Sequence, residues 1–91
     1  MAEVKQNDNN FELFYENRKA GAMDYIKKSD NIIEITHTEV SPEFAGKGLG
    51  KDLVQAAVEY AKKNNIKIIA SCPYARKIIE KTQEFQDVLS E

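Results

Sequence analysis

Phe44-Ala-Gly-Lys-Gly-Leu-Gly-Lys-Asp-Leu-Val-Gln-Ala-Ala-Val-Glu-Tyr-Ala61 is the stretch that decides the fold, because it sets three of the chain's four glycines, at alternate positions, directly ahead of an amphipathic run. Over residues 50–64 the apolar side chains of Leu53, Val54, Ala57, Val58 and Ala61 recur at helical spacing, while Asp52, Gln55, Glu59, Lys62 and Lys63 fall elsewhere. The pattern predicts a helix buried along one face. Its positive end, fed by the Gly46-Lys-Gly-Leu-Gly50 turn, presents a row of backbone N–H groups of the kind that binds phosphate, and glycine lets a ligand reach the main chain with no Cβ in the way. Lys47 and Lys51 add charge at the same place. Two readings stand: the turn cradles a pyrophosphate, or it is simply flexible. A P-loop would need glycine at Ala45 and Ser or Thr at Asp52, and the dinucleotide fingerprint would need glycine at Lys51, so neither signature is present.

On either side of this stretch the residues read as strands. Ile32–Val40 is rich in β-branched residues, and residues 11–16 and 22–28 carry strand character, with polar turns at 17–21 and 29–31 between them. These three make an antiparallel meander. In residues 22–28, Met23 and Tyr25 share one face and Ala22 and Ile26 the other. Asn64-Asn65 stops the helix, and residues 66–72 return as a strand that a crossover helix sets parallel to Ile32–Val40. Pro73 suits a first helical turn, which predicts a second helix over 74–81 and a short third one over 83–89. The expectation is one α/β (α+β) domain over residues 11–91, preceded by a polar, frayed leader over 1–10.

A chain of 91 residues with 42 % hydrophobic content has apolar material for a single core. Thirteen Lys and Arg against fifteen Asp and Glu give a net charge of −2 with no basic block, which argues against nucleic acid. One cysteine makes no internal disulfide and no zinc cluster, so no metal is expected and a reducing, cytoplasmic setting fits best. No apolar run reaches the length of a signal core or a membrane span. A monomer or a weak homodimer is expected.

Ser41-Pro-Glu-Phe-Ala-Gly-Lys-Gly-Leu-Gly-Lys-Asp-Leu-Val54 resembles the acetyl-CoA pyrophosphate loop of the GNAT acetyltransferase superfamily: Arg or Gln, two residues, Gly, one residue, then Gly or Ala. Gly48 and Gly50 take the two small-residue positions, and Ala45 stands where Arg or Gln is usual. With Ile35-Thr-His-Thr-Glu39 upstream and Ser71-Cys-Pro-Tyr-Ala75 downstream, the chain is similar to the minimal, cysteine-bearing GNAT-like proteins. The resemblance implies a sheet that splays between the strand ending near Val40 and the one beginning near Ile66, with the pantetheine arm of acetyl-CoA in the gap. It implies Val40, Gly46, Lys47, Gly48, Leu49, Gly50, Lys51, Cys72 and Tyr74 as cofactor contacts. It also implies acetyl transfer to a small-molecule or protein amine. The alternative is a non-catalytic module that binds or senses CoA or acyl-CoA.

Cys72 and His37 are the candidate catalytic residues. Cys72 ends a strand just before Pro73, at or beside a helix N-cap, where the dipole favours a thiolate by about 0.3–1 kcal/mol. As implied by the family geometry it lies near the acetyl group and is a candidate acyl carrier; otherwise it is a small buried apolar side chain. His37, the only histidine, sits on a strand whose same-face neighbours are Ile33 and Ile35. It reads either as a core residue or as a base, since an ordinary histidine pKa of about 6.5 suits proton removal. Many GNAT enzymes follow this strand with Asn, two residues, Ala, three residues and a Tyr that protonates the departing thiolate. Here Cys72 takes the Asn position, Ala75 the Ala and Ile79 the Tyr, so the acid is missing and Tyr74 would have to act from another angle.

Overall fold

A computed structural model of the protein describes residues 2–90. Strands β1 (Ala2–Gln6), β2 (Asn10–Tyr15), β3 (Arg18–Ser29), β4 (Ile32–Val40) and β5 (Lys67–Ala70) form one sheet in the order β1-β2-β3-β4-β5. Neighbours are antiparallel as far as β4, and β5 runs parallel to β4. Helix α1 (Leu49–Lys63) makes that crossover, and α2 (Pro73–Lys81) follows β5. This is the meander, crossover helix and parallel strand that the residue pattern predicts.

Helix α1 packs as its periodicity demands. Leu53, Val54, Ala57, Val58 and Ala61 are all buried against Phe11, Leu13, Met23, Tyr25, Ile33, Ile35 and Ile68 of the sheet. A fully buried aliphatic or Phe side chain contributes about 1.5–3 kcal/mol relative to exposure, so this interface is a large contributor to folding. The helix ends where the two asparagines put it: Asn64 bonds back to Tyr60 O through both its amide and its side chain, and Asn65 takes φ 57°. Among the described residues no helix is long and apolar enough to cross a membrane.

Several elements differ from the reading of the sequence. The expected frayed leader is β1, which pairs Val4 with Leu13 and Ala2 with Tyr15. Ala2 and Val4 alternate with Glu3 and Lys5, so one side of the strand reaches the core edge, and Asn7 closes the turn: its amide donates to Asn10 O and its Oδ1 accepts from the Asn10 amide. The turn expected over 17–21 is the two-residue Glu16-Asn17, both left-handed at φ 51° and 68°, which lets β3 begin at Arg18. The expected third helix is a 3-10 turn over Gln83–Val88, after which Ser90 N donates to Ile68 O at 2.7 Å and covers the outer edge of β5. A further 3-10 turn, Pro42–Phe44, buries Phe44 beneath the glycine loop.

The correction that matters for the site lies in β4. Asp24 pairs with His37 but Tyr25 pairs with Ile35, which leaves Thr36 without a partner in β3. This extra residue is a β-bulge, and it reverses the alternation of everything after it. Ile33 and Ile35 point into the core, then Thr38 and Val40 take that face opposite Met23 and Gly21. His37 is turned to the other face, exposed, and does not share a face with Ile33 and Ile35.

Candidate functional site

Pairing between β4 and β5 stops at Ile35 and Ala70. The amides of Ser71 and Cys72 both close on Ile35 O at 3.1 Å, and the chain then turns away into α2 while β4 continues to Val40. The sheet therefore splays. A groove of about 620 Å³ opens along the free half of β4, floored by Phe44 and walled by the glycine loop, the start of α1 and Tyr74.

The loop geometry explains each glycine separately. Gly46 and Gly48 have φ of 83° and 74°, in the left-handed region that glycine adopts without strain, and a Cβ at either would meet nothing within 4 Å. Their open sides face space. Gly48 is the N-cap of α1 and no side chain caps the helix, so the first-turn amides of Leu49, Gly50 and Lys51 are available as donors. Gly50 is glycine for a different reason: a Cβ there would stand 1.7 Å from the Tyr74 hydroxyl oxygen, which rests on the first turn of α1.

Of the residues singled out in the sequence, His37, Val40, Gly46, Gly48, Leu49, Gly50 and Tyr74 line the groove. Lys47 stands beside it with Nζ 5.5 Å from the centre of the Tyr15 ring, and Lys51 is exposed on α1. Cys72 is not on the groove surface; it is 6 % exposed and lies behind it as the N-cap of α2. Ile79, at the position of the usual acid, is fully buried in the core. Thr38, Glu39, Phe44 and Ala45 also line the groove; they lie within the motifs quoted from the sequence without being singled out as contacts, and the bulge that places Thr38 cannot be read from its neighbours.

The surroundings of Cys72 favour its anion. Burial pushes the thiol pKa up, but the Ala75 amide, the Thr38 hydroxyl, and the Tyr74 and Thr38 amides act the other way, and the net value is below that of an ordinary thiol. Thr38 Oγ1 is buried with no other hydrogen-bond partner among the described residues, which leaves its hydroxyl for the Cys72 sulfur. His37 does not take part: its Nε2 lies 3.3 Å from Glu39 Oε1 on the other face. On that face Glu34 accepts a hydrogen bond from the Ser71 hydroxyl and pairs with Lys28 at 3.2 Å, which together hold its carboxyl below the usual range. The rate of Cys72 alkylation by a small haloacetamide is expected to rise with pH to a plateau, with a midpoint below that of a free thiol. Thr38→Val is expected to move the midpoint up. An unshifted midpoint in the unmodified protein would remove the thiolate argument.

The family model for GCN5-related N-acetyltransferases matches residues 10–88. The structure superposes on a GCN5-like protein from Staphylococcus aureus with a TM-score of 0.77 and 44 % identity, covering 97 % of this chain and 87 % of that one. It also superposes on a Bacillus subtilis acetyltransferase solved in complex with CoA, with a TM-score of 0.66 and 20 % identity, over 88 % and 72 % of the two chains, a likeness of fold. Protein NATD1 of Gallus gallus is 30 % identical over 57 residues, which is 63 % of this chain. The chain spans about half the length of the curated relatives it matches, 50 % in that case.

Proposed function

The chain belongs to the GCN5-related N-acetyltransferase family, and on that premise we propose that it binds acetyl-CoA along the groove and moves the acetyl group to an amine, with Cys72 as relay. The observation that carries this reading is the open turn. Gly46 and Gly48 hold a left-handed backbone with free space before them, at the start of a helix that no side chain caps. A diphosphate satisfies those amides and the positive helix end together. Val40, Leu49 and Tyr74 then border the path of the pantetheine arm, with Lys47 and Lys51 near enough to answer the phosphate charge.

In the relay, the Cys72 thiolate attacks the thioester carbonyl, a C–S bond to Cys72 forms, the C–S bond to CoA breaks, and the CoA thiolate departs. The acceptor amine attacks the Cys72 thioester, the new C–N bond replaces C–S, and the amine proton passes to water. The amides of Tyr74 and Ala75 keep the sulfur anionic before the first step and receive it again after the second. The acceptor is a small-molecule or protein amine. Intact mass measurement after incubation with acetyl-CoA is expected to show one acetyl adduct, absent in Cys72→Ser. Failure of CoA to bind in calorimetry at millimolar ligand would end the whole proposal.

The burial of Ile79, where a proton donor usually stands, favours a second reading: a non-catalytic module that holds CoA or acyl-CoA. It is distinguished by CoA binding with no adduct and no transfer across a panel of amines.

A further inference from the structure

Tyr74 is one of two large hydrophobic side chains that the described residues leave exposed, at 47 %. It springs from the second position of α2, two residues after Cys72, and crosses to α1, where its hydroxyl occupies the space that a side chain at Gly50 would need. The groove has Thr38 on one wall and Tyr74 on another, and the thiol that Thr38 adjoins is 6 % exposed and contributes nothing to the groove surface. The ring thus lines an open cavity two residues along the chain from a nucleophile that the cavity does not reach. We infer that Tyr74 is a gate: with its hydroxyl seated on Gly50 it keeps bulky electrophiles in the groove from Cys72 while small ones pass, and rotation of the side chain off that seat admits the bulky ones to the sulfur.

The seat is a contact with a glycine, which has no side chain to interlock with the ring, and an exposed aromatic side chain changes rotamer on the picosecond to nanosecond scale. Opening is therefore fast and costs only the lost contact. The absence of a side chain at position 50 is what allows closure. The inference does not depend on CoA being the ligand, because thiol access is measured without it.

The test compares the labelling rate of Cys72 by a bulky aromatic disulfide with that by methyl methanethiosulfonate. The ratio of the two rates cancels changes in thiol ionisation. A gate open for 0.1–10 % of the time implies that Tyr74→Ala raises the bulky-reagent rate relative to the small one by about tenfold or more. Gly50→Ala, whose methyl group takes the seat, is expected to raise the ratio as well, and Tyr74→Phe, which keeps the ring, to leave it within about twofold of the parent protein. The double variant Gly50→Ala/Tyr74→Ala should match Tyr74→Ala alone, since only one gate is present. A ratio unchanged in Tyr74→Ala, or in Gly50→Ala where the first variant does not fold, overturns the inference. So does a rise in both reagents that tracks a loss of circular dichroism signal, which is unfolding and not gating. Loss of CoA binding with the labelling pattern intact would overturn the acetyl-CoA reading and leave the gate standing.

Discussion

CoA is expected to protect this protein against thermal unfolding, and Gly48→Val to abolish that protection while leaving the fold in place. Gly48 sits at φ 74°, and a Cβ there would touch nothing within 4 Å, so the branch point of the new side chain meets open space. Its cost to folding is the left-handed backbone, about 1–2 kcal/mol for a residue with a Cβ. A chain of 91 residues has a stability of about 5–14 kcal/mol, so most of it survives. Binding has no such margin. The isopropyl group projects into the space before the amides of the loop, and relief of the backbone strain turns those amides away from a shared target. At a hundredfold excess of ligand over Kd, binding contributes about 2.7 kcal/mol, and in a domain of this size that is a rise in Tm of about 10–20 °C. Thermal scans with and without CoA should show that rise in the parent protein and none in Gly48→Val. Gly48→Asn, whose side chain tolerates the left-handed region, should keep more of it. Protection retained in the valine variant would mean that the glycines serve the turn alone.

Gly21→Ala should produce the largest loss of stability of any single methyl addition in the molecule. Gly21 is buried in β3 opposite Val40, and a Cβ there would lie 2.4 Å from Glu39 O and 3.2 Å from Val40 Cα. Both are backbone atoms of the neighbouring strand, so no rotamer change relieves the overlap. Inserting carbon into such a place costs about 1–3 kcal/mol, and the upper end applies when main chain has to move. The expected fall in Tm is about 12–24 °C at 3 kcal/mol, read by calorimetry or circular dichroism. The displaced atoms belong to Glu39 and Val40, which wall the groove, so ligand affinity should fall with stability. A fall of less than a few degrees would show that β3 and β4 have slack there.

The legible parts of this fold are those whose pattern is local and repeated. Five apolar positions at helical spacing specify α1 and its buried face, and the β-branched run specifies β4 to the residue. The glycine loop is legible as an open turn at a helix start because three glycines at alternate positions directly precede the amphipathic run. Other features depend on contacts that no window of sequence contains. β1 has two apolar residues and reads as a polar leader until β2 offers it an edge. Thr36 looks like any strand residue, yet as a bulge it decides that Thr38 and not His37 meets Cys72. Gly50 belongs by spacing with Gly46 and Gly48, but its reason for being glycine is an aromatic ring from twenty-four residues further along the chain.

The single unpaired residue at Thr36 divides one strand into two jurisdictions. Upstream of it, inward-facing positions answer to the core, where volume is the only criterion; downstream, the positions that inherit the inward direction answer to whatever enters the cleft. The strand can thus change its chemistry at Thr38 and Val40 without renegotiating the packing at Ile33 and Ile35. A small domain with no spare layer gains from this an adaptable work surface built on an unaltered frame.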